Sequence, residues 1–155
     1  MLKKILLISL VFILGMVSTS VIPIEMPFAN KTSERTSPHD WIKLNQIKAY
    51  NDRVVLEIEE PVLVAISETN SMDPVLDEYA NAIEIYPKST EDIHVGDIVS
   101  YKSKYMENNI IHRVIEINED EEGWYAVMKG DNLNKTDPER VRFEQIQRVV
   151  VAVVY

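Results

Sequence analysis

Between Trp41 and Tyr155 the apolar residues come in short runs, rich in β-branched and aromatic side chains and separated by turn formers. Chains of this kind build strands, because such side chains fit a pleated, half-buried surface. Ile47-Lys48-Ala49-Tyr50 and Arg53-Val54-Val55-Leu56-Glu57-Ile58 flank Asn51-Asp52, a pair suited to a tight turn, so a hairpin is expected there. Pro61 interrupts the next run, and Val62-Leu63-Val64-Ala65-Ile66 follows as a strand. Ala82 to Tyr86 alternates, and Val95-Gly96-Asp97 turns into Ile98-Val99-Ser100-Tyr101. Residues 109–117 and 124–128 flank the acidic stretch Asn118 to Gly123 and read as a second hairpin, with Glu119 to Glu122 a solvated tip. Residues 138–147 read as a helical turn or a loop. Residues 149–155 read as a buried closing strand, too short to span a membrane. The expected fold class is mainly β.

A chain of 155 residues suits one domain of ordinary size, and 46% hydrophobic against 26% charged residues is enough for a packed core. The net charge of −9 argues against a nucleic-acid partner, whose phosphates would be repelled. With no cysteine, thiol nucleophiles, disulfides and Cys-type zinc sites are excluded. His39, His94 and His112 lack ligand spacing, so neither a metal nor a cofactor is expected, and His39 and His94 read as surface residues.

Residues 1–24 differ from the rest. Lys3 and Lys4 precede an apolar run from Ile5 to Val17, and no further charge appears before Glu25. As a helix this segment is about 30 Å long, roughly the hydrocarbon thickness of a bilayer. A cleaved signal peptide shares the basic start and short apolar centre, and Ser18 and Ser20 could mark its cut. The length favours an uncleaved N-terminal transmembrane anchor. In either case the lysines stay on the cytoplasmic side and the domain lies outside. Residues 25–40 are polar and read as a linker, leaving residues 41–155 as the folded domain.

One hexapeptide, Thr69-Asn70-Ser71-Met72-Asp73-Pro74, stands out chemically. Pro74 restricts the backbone before it, so Ser71 sits on a stiff turn. Downstream, Ile110-Ile111-His112-Arg113-Val114 offers a base, and Lys129-Gly130-Asp131-Asn132 offers a carboxylate. A serine, a histidine and an aspartate far apart in sequence form the set that acyl transfer needs. Each taken alone has a plain structural reading: Ser71 and Asp131 as turn residues, His112 as a core histidine. Met72 is either core or a lining of a substrate channel. Lys102, Lys104 and Lys129 could serve a Ser-Lys mechanism in principle, but the first two lie in what reads as an exposed turn and are better taken as solvated.

Asn70 to Pro74, Ile111 to Val114 and Lys129 to Asn132 resemble three sequence boxes of type I signal peptidases, in the archaeal and endoplasmic-reticulum branch. That branch has a histidine where the bacterial branch has a lysine. Val95-Gly96-Asp97-Ile98-Val99 resembles the segment between the first two boxes, and the likeness covers roughly residues 62–155 in order and spacing. The resemblance implies a membrane-tethered serine endopeptidase with a β-rich catalytic domain, preceded by one N-terminal apolar helix and facing the extracytoplasmic side of the cell membrane. Its partners would be signal-peptide-bearing preproteins and membrane lipid, with further subunits unspecified. Carried over by position, Ser71 matches the nucleophile, His112 the general base, and Asp131 the first aspartate of the third box. Asp137, six residues on, matches a second acidic position. The resemblance does not say which aspartate meets the imidazole. The Ser71 backbone N–H and the Thr69 hydroxyl are candidate oxyanion donors.

Asn70 departs from the Gly or Ser common before the serine in that family, and its amide could either hinder the substrate or donate to the oxyanion. Three rival readings remain: a catalytically inactive anchored β-domain that binds exported proteins or a partner subunit, a self-processing regulator, and an exported protein with a cleaved leader. The N-terminal apolar segment and the lack of a DNA-binding module weigh against the regulator.

Overall fold

The structure, a computed structural model, describes residues 35–155. The expected anchor (1–24) and most of the expected linker (25–34) lie outside the described residues.

The domain is mainly β. Strands β1 (Ile47–Ala49) and β2 (Val54–Leu56) form the hairpin expected over Asn51-Asp52, with Ile47 opposite Leu56 and Ala49 opposite Val54. Strands β3 (Val62–Ala65), β4 (Asn81–Ile85), β5 (Ile98–Lys102), β6 (Asn109–Asp120), β7 (Gly123–Lys129), β8 (Arg140–Val141) and β9 (Ile146–Val154) form one sheet in the order β3-β4-β9-β5-β6-β7-β8. Every neighbouring pair is antiparallel. The stretch expected as a turn or loop over 138–147 resolves into the short β8, a 3-10 turn at Phe143–Gln145 and the first residues of β9.

The last strand is central, inserted between β4 and β5, so both its edges are hydrogen-bonded. Its β-branched run is continuous because the sheet is covered on both faces. Successive side chains point to opposite faces, and Val149 and Val150 accordingly fall into two different cores, as do Val99 and Ile98. One core gathers Val99, Tyr101, Val114, Met128, Val141 and Val149. The other gathers Ile98, Ala82 and Val150 under Met72, Leu76 and Ala80, which the β3–β4 connection supplies. Burial of a side chain such as Leu76 contributes about 1.5–3 kcal/mol. This apolar seat therefore fixes the segment that carries Ser71.

The polar face of the second core holds an unusual group. Glu84 is almost wholly buried, accepts a 3.4 Å hydrogen bond from Ser100, and lies 3.9 Å from Arg148. Burial pushes its carboxyl up, and Arg148 and Ser100 offset this only in part. Its Oε1 has no partner among the described residues.

Residues 35–40, expected as part of a free linker, are instead held against the domain, and the folded unit begins at Arg35 rather than Trp41. Arg35 donates to the Asp131 carbonyl, the Thr36 carbonyl accepts from Arg113, and His39 N–H donates to Asp97 at 2.8 Å. The run is polar and largely exposed, so hydropathy carries no trace of this docking, which is made by hydrogen bonds. His39 is exposed as expected, whereas His94 is half-buried and stacks on it, ring centroids 4.0 Å apart. The acidic tip is also less simple than a solvated turn. Asp120 accepts from Arg142 and Arg140, and the Arg142 bonds above all hold its carboxyl well below the usual range.

Candidate functional site

Ser71 follows Asn70, whose φ of +56° lies in the left-handed region that asparagine tolerates better than most residues. Met72 next to it, on the same β3–β4 connection, is buried in the second core with Leu76 and Ala80. Backbone and side-chain hydrogen bonds then fasten the loop to the segment after β7. Asn132 N–H donates to the Ser71 carbonyl at 2.9 Å, and the Asn132 amide donates to the Asn70 carbonyl at 2.9 Å. Asp131 N–H points at the Met72 sulfur, 3.4 Å away. Thus the first and third boxes, far apart in sequence, meet in space.

Gly130 is required for that approach. A Cβ at this position would lie 2.6 Å from the Ser71 carbonyl oxygen and 2.9 Å from the Leu133 side chain. Backbone cannot yield as a flexible side chain can. Gly130→Ala is therefore expected to displace the serine loop and to destabilise the domain by about 1–3 kcal/mol, the usual cost of overpacking. Denaturant unfolding of the variant beside the parent measures it; equal stability would mean that the loop gives way freely.

His112 lies on β6, on the face of the first core, and is buried. Its Nδ1 is 2.7 Å from Asp137 Oδ2. Asp137 stands in the β7–β8 connection, held by its own N–H on the Met128 carbonyl at 2.8 Å. The same carboxylate oxygen accepts a 2.7 Å hydrogen bond from the Tyr101 hydroxyl. Burial pushes the Asp137 carboxyl up, but the hydrogen bonds from His112 and Tyr101 outweigh it, and the net direction is down. Asp137 is thus an ionised acceptor at neutral pH, and His112 Nδ1 must be the donor. In the neutral imidazole the lone pair is then on Nε2.

Asp131 does something else. It is buried in a two-pronged pair with Arg113, Nε to Oδ1 at 2.8 Å and Nη2 to Oδ2 at 2.7 Å. Arg113 also donates to the Gly96 carbonyl at 2.7 Å. Neighbours on β6 point to opposite faces, so His112 and Arg113 are directed to different aspartates. The question the sequence left open is answered geometrically: Asp137 meets the imidazole and Asp131 does not.

The Ser71 hydroxyl faces the Thr69 hydroxyl at 3.2 Å. It makes no hydrogen bond to His112. The Asn70 carbonyl is engaged by Asn132, whereas its side-chain amide has no hydrogen bond among the described residues. Lys102 and Lys104 are exposed. No cluster of three or more His, Asp or Glu among the described residues is arranged to hold a metal ion. Arg113, Asn132, Gly130 and Tyr101 were not singled out from sequence. The first three sit inside or beside the boxes, so their adjacency was a usable signal. Tyr101 sits in an ordinary apolar strand and offered none.

No family model, no curated protein and no solved structure matches this chain.

Proposed function

We propose that this chain is a membrane-anchored serine endopeptidase that removes signal peptides from exported preproteins, a member of the archaeal-type branch of signal peptidases. The observation that carries the proposal is the pair of His112, on β6, with Asp137, 2.7 Å apart, Asp137 standing on the same β7–β8 connection that fastens the loop bearing Ser71. In this reading Ser71 Oγ attacks the scissile carbonyl while His112 Nε2 takes its proton, then returns it to the leaving amine. Asp137 holds the imidazole tautomer and stabilises the imidazolium. In the same reading the Ser71 N–H and the Thr69 hydroxyl donate to the developing oxyanion. The substrate is an extended peptide with small residues before the cut, added at the edge strand β3, which has β4 as its one partner in the sheet and leads into the serine loop. Residues 1–24 anchor the domain on the extracytoplasmic side.

A second reading is supported by the Ser71 hydroxyl bonding to Thr69 and not to His112. It is an anchored β-domain without activity that binds exported proteins or a partner subunit. Catalytic hydrogen bonds are often long without substrate and tighten only in the complex, so the first reading is kept. The test is cleavage of a model preprotein by the full chain in detergent, with Ser71→Ala and His112→Ala in parallel. Cutting at the leader boundary by the parent, lost in both variants, is the expected result. A folded parent that does not cut, and behaves as the variants do, leaves the binding domain as the function.

A further inference from the structure

The one oxygen of Asp137 that faces His112 has a second donor, and that donor comes from the core. Tyr101 lies on β5, wholly buried, one pleat along from Val99. Val99 is directly opposite His112 in the β5–β6 register, so Tyr101 and His112 are diagonal neighbours on one face of the sheet. Asp137 fills the gap between them. Its Oδ2 accepts the Tyr101 hydroxyl at 2.7 Å and lies 2.7 Å from His112 Nδ1. The Tyr101 hydroxyl has no other hydrogen bond among the described residues. A buried hydroxyl left without an acceptor is costly, so it holds the carboxylate in place.

We propose that Tyr101 is a positioning residue of this site: by donating to Asp137 Oδ2 it keeps that oxygen turned towards Nδ1 as an acceptor, and so fixes the His112 tautomer. This inference rests on the peptidase reading for its consequence in turnover, but its geometry stands without it. Burial, then the hydrogen bond to Asp137 and the nearby Asp137 and Glu139 charges, push the Tyr101 phenol up, so at neutral pH it is protonated and a donor. With the Tyr101 O–H and His112 Nδ1 both directed at Oδ2, the two lone pairs of that oxygen are taken by donors and it offers His112 no proton. His112 is then left one arrangement, with the proton on Nδ1 and the base at Nε2.

The experiment is Tyr101→Phe in the full chain in detergent, which removes one oxygen and keeps the ring in the core. The first readout is the side-chain ¹⁵N spectrum of His112, which distinguishes the two neutral tautomers. The parent should show Nδ1–H alone, and the variant a mixture of Nδ1–H and Nε2–H. The second readout is preprotein cleavage, with kcat expected to fall about tenfold and KM to stay as in the parent, since one hydrogen bond to a charged group is lost away from the substrate. Val149→Ala loosens the same core face without touching Asp137 and should leave the tautomer unchanged, which separates positioning from packing. An unchanged His112 spectrum in Tyr101→Phe overturns the proposal, as does the same tautomer change in Val149→Ala. If the parent cuts no preprotein and the tautomer still shifts in Tyr101→Phe, the positioning claim holds and the peptidase reading fails.

Discussion

On the peptidase reading, Asp137→Asn should lower the cleavage rate about ten-thousand-fold, while Asp131→Asn should cost stability and leave kcat within about tenfold of the parent once both are folded. The two residues lie in one box and share a charge, so the contrast depends on the fold alone. An amide at 137 can turn its NH₂ towards His112 Nδ1. It would then favour the tautomer whose Nε2 carries the proton, and a protonated Nε2 cannot accept from Ser71. At 131 the partner is Arg113, not the imidazole. Kinetics of both variants on one preprotein measure the contrast. Equal losses would mean that Asp131 also acts on the imidazole, against the geometry. The pH dependence has a definite sign. The folded Asp137 carboxyl lies below its ordinary value of 3.8, so the stability it contributes is present above that value and is lost as the pH falls through the folded one. Thermal melts of the parent and Asp137→Asn should therefore differ most near neutrality and converge in strong acid.

Much of the strand content was legible in sequence because it is local. The Asn51-Asp52 turn and the two long runs around residues 118–123 each specify a neighbouring pair, and both hairpins formed with those runs opposed. The order of the sheet was not legible. The insertion of β9 between β4 and β5 pairs residues far apart in the chain, and no single segment encodes it. The docking of residues 35–40 was hidden for another reason. It uses main-chain carbonyls and amides, which every sequence has, against Asp97, Arg113 and Asp131, which any reading of hydropathy leaves on the surface.

The candidate site divides in the same way. Spacing could bring His112 and two aspartates into view, but it could not rank them, because a six-residue difference within a loop says nothing of where the loop turns. What ranks them is the alternation of β6. His112 and Arg113 are consecutive, face opposite sides, and each claims one aspartate. An arginine directly after the histidine was visible from the start. Its meaning depended on knowing that both faces of that strand are covered, which only the assembled sheet supplies.

Replacing Arg113 is the second large effect. Arg113→Met is expected to destabilise the domain by about 3–5 kcal/mol, because it strands the Asp131 carboxylate in a buried site with its two-pronged partner gone. Arg35 cannot substitute. Its side chain is 46% exposed and its guanidinium is 3.8 Å from Asp131, and an ion pair so open to solvent contributes at most about 1 kcal/mol. The cause can be separated from the loss of the Gly96 and Thr36 contacts by a second change. Arg113→Met combined with Asp131→Leu removes the stranded charge while the carbonyls remain without the guanidinium. If the buried carboxylate is the main cost, the double variant recovers most of the stability lost in the single one, since replacing both partners of a buried pair by apolar groups is often neutral. Denaturant unfolding of the parent, the two single variants and the double variant closes the cycle. A double variant no more stable than Arg113→Met would move the cost to the guanidinium's bonds with the Gly96 and Thr36 carbonyls. Arg113 would then act chiefly as the clamp that holds residues 35–40 on the domain.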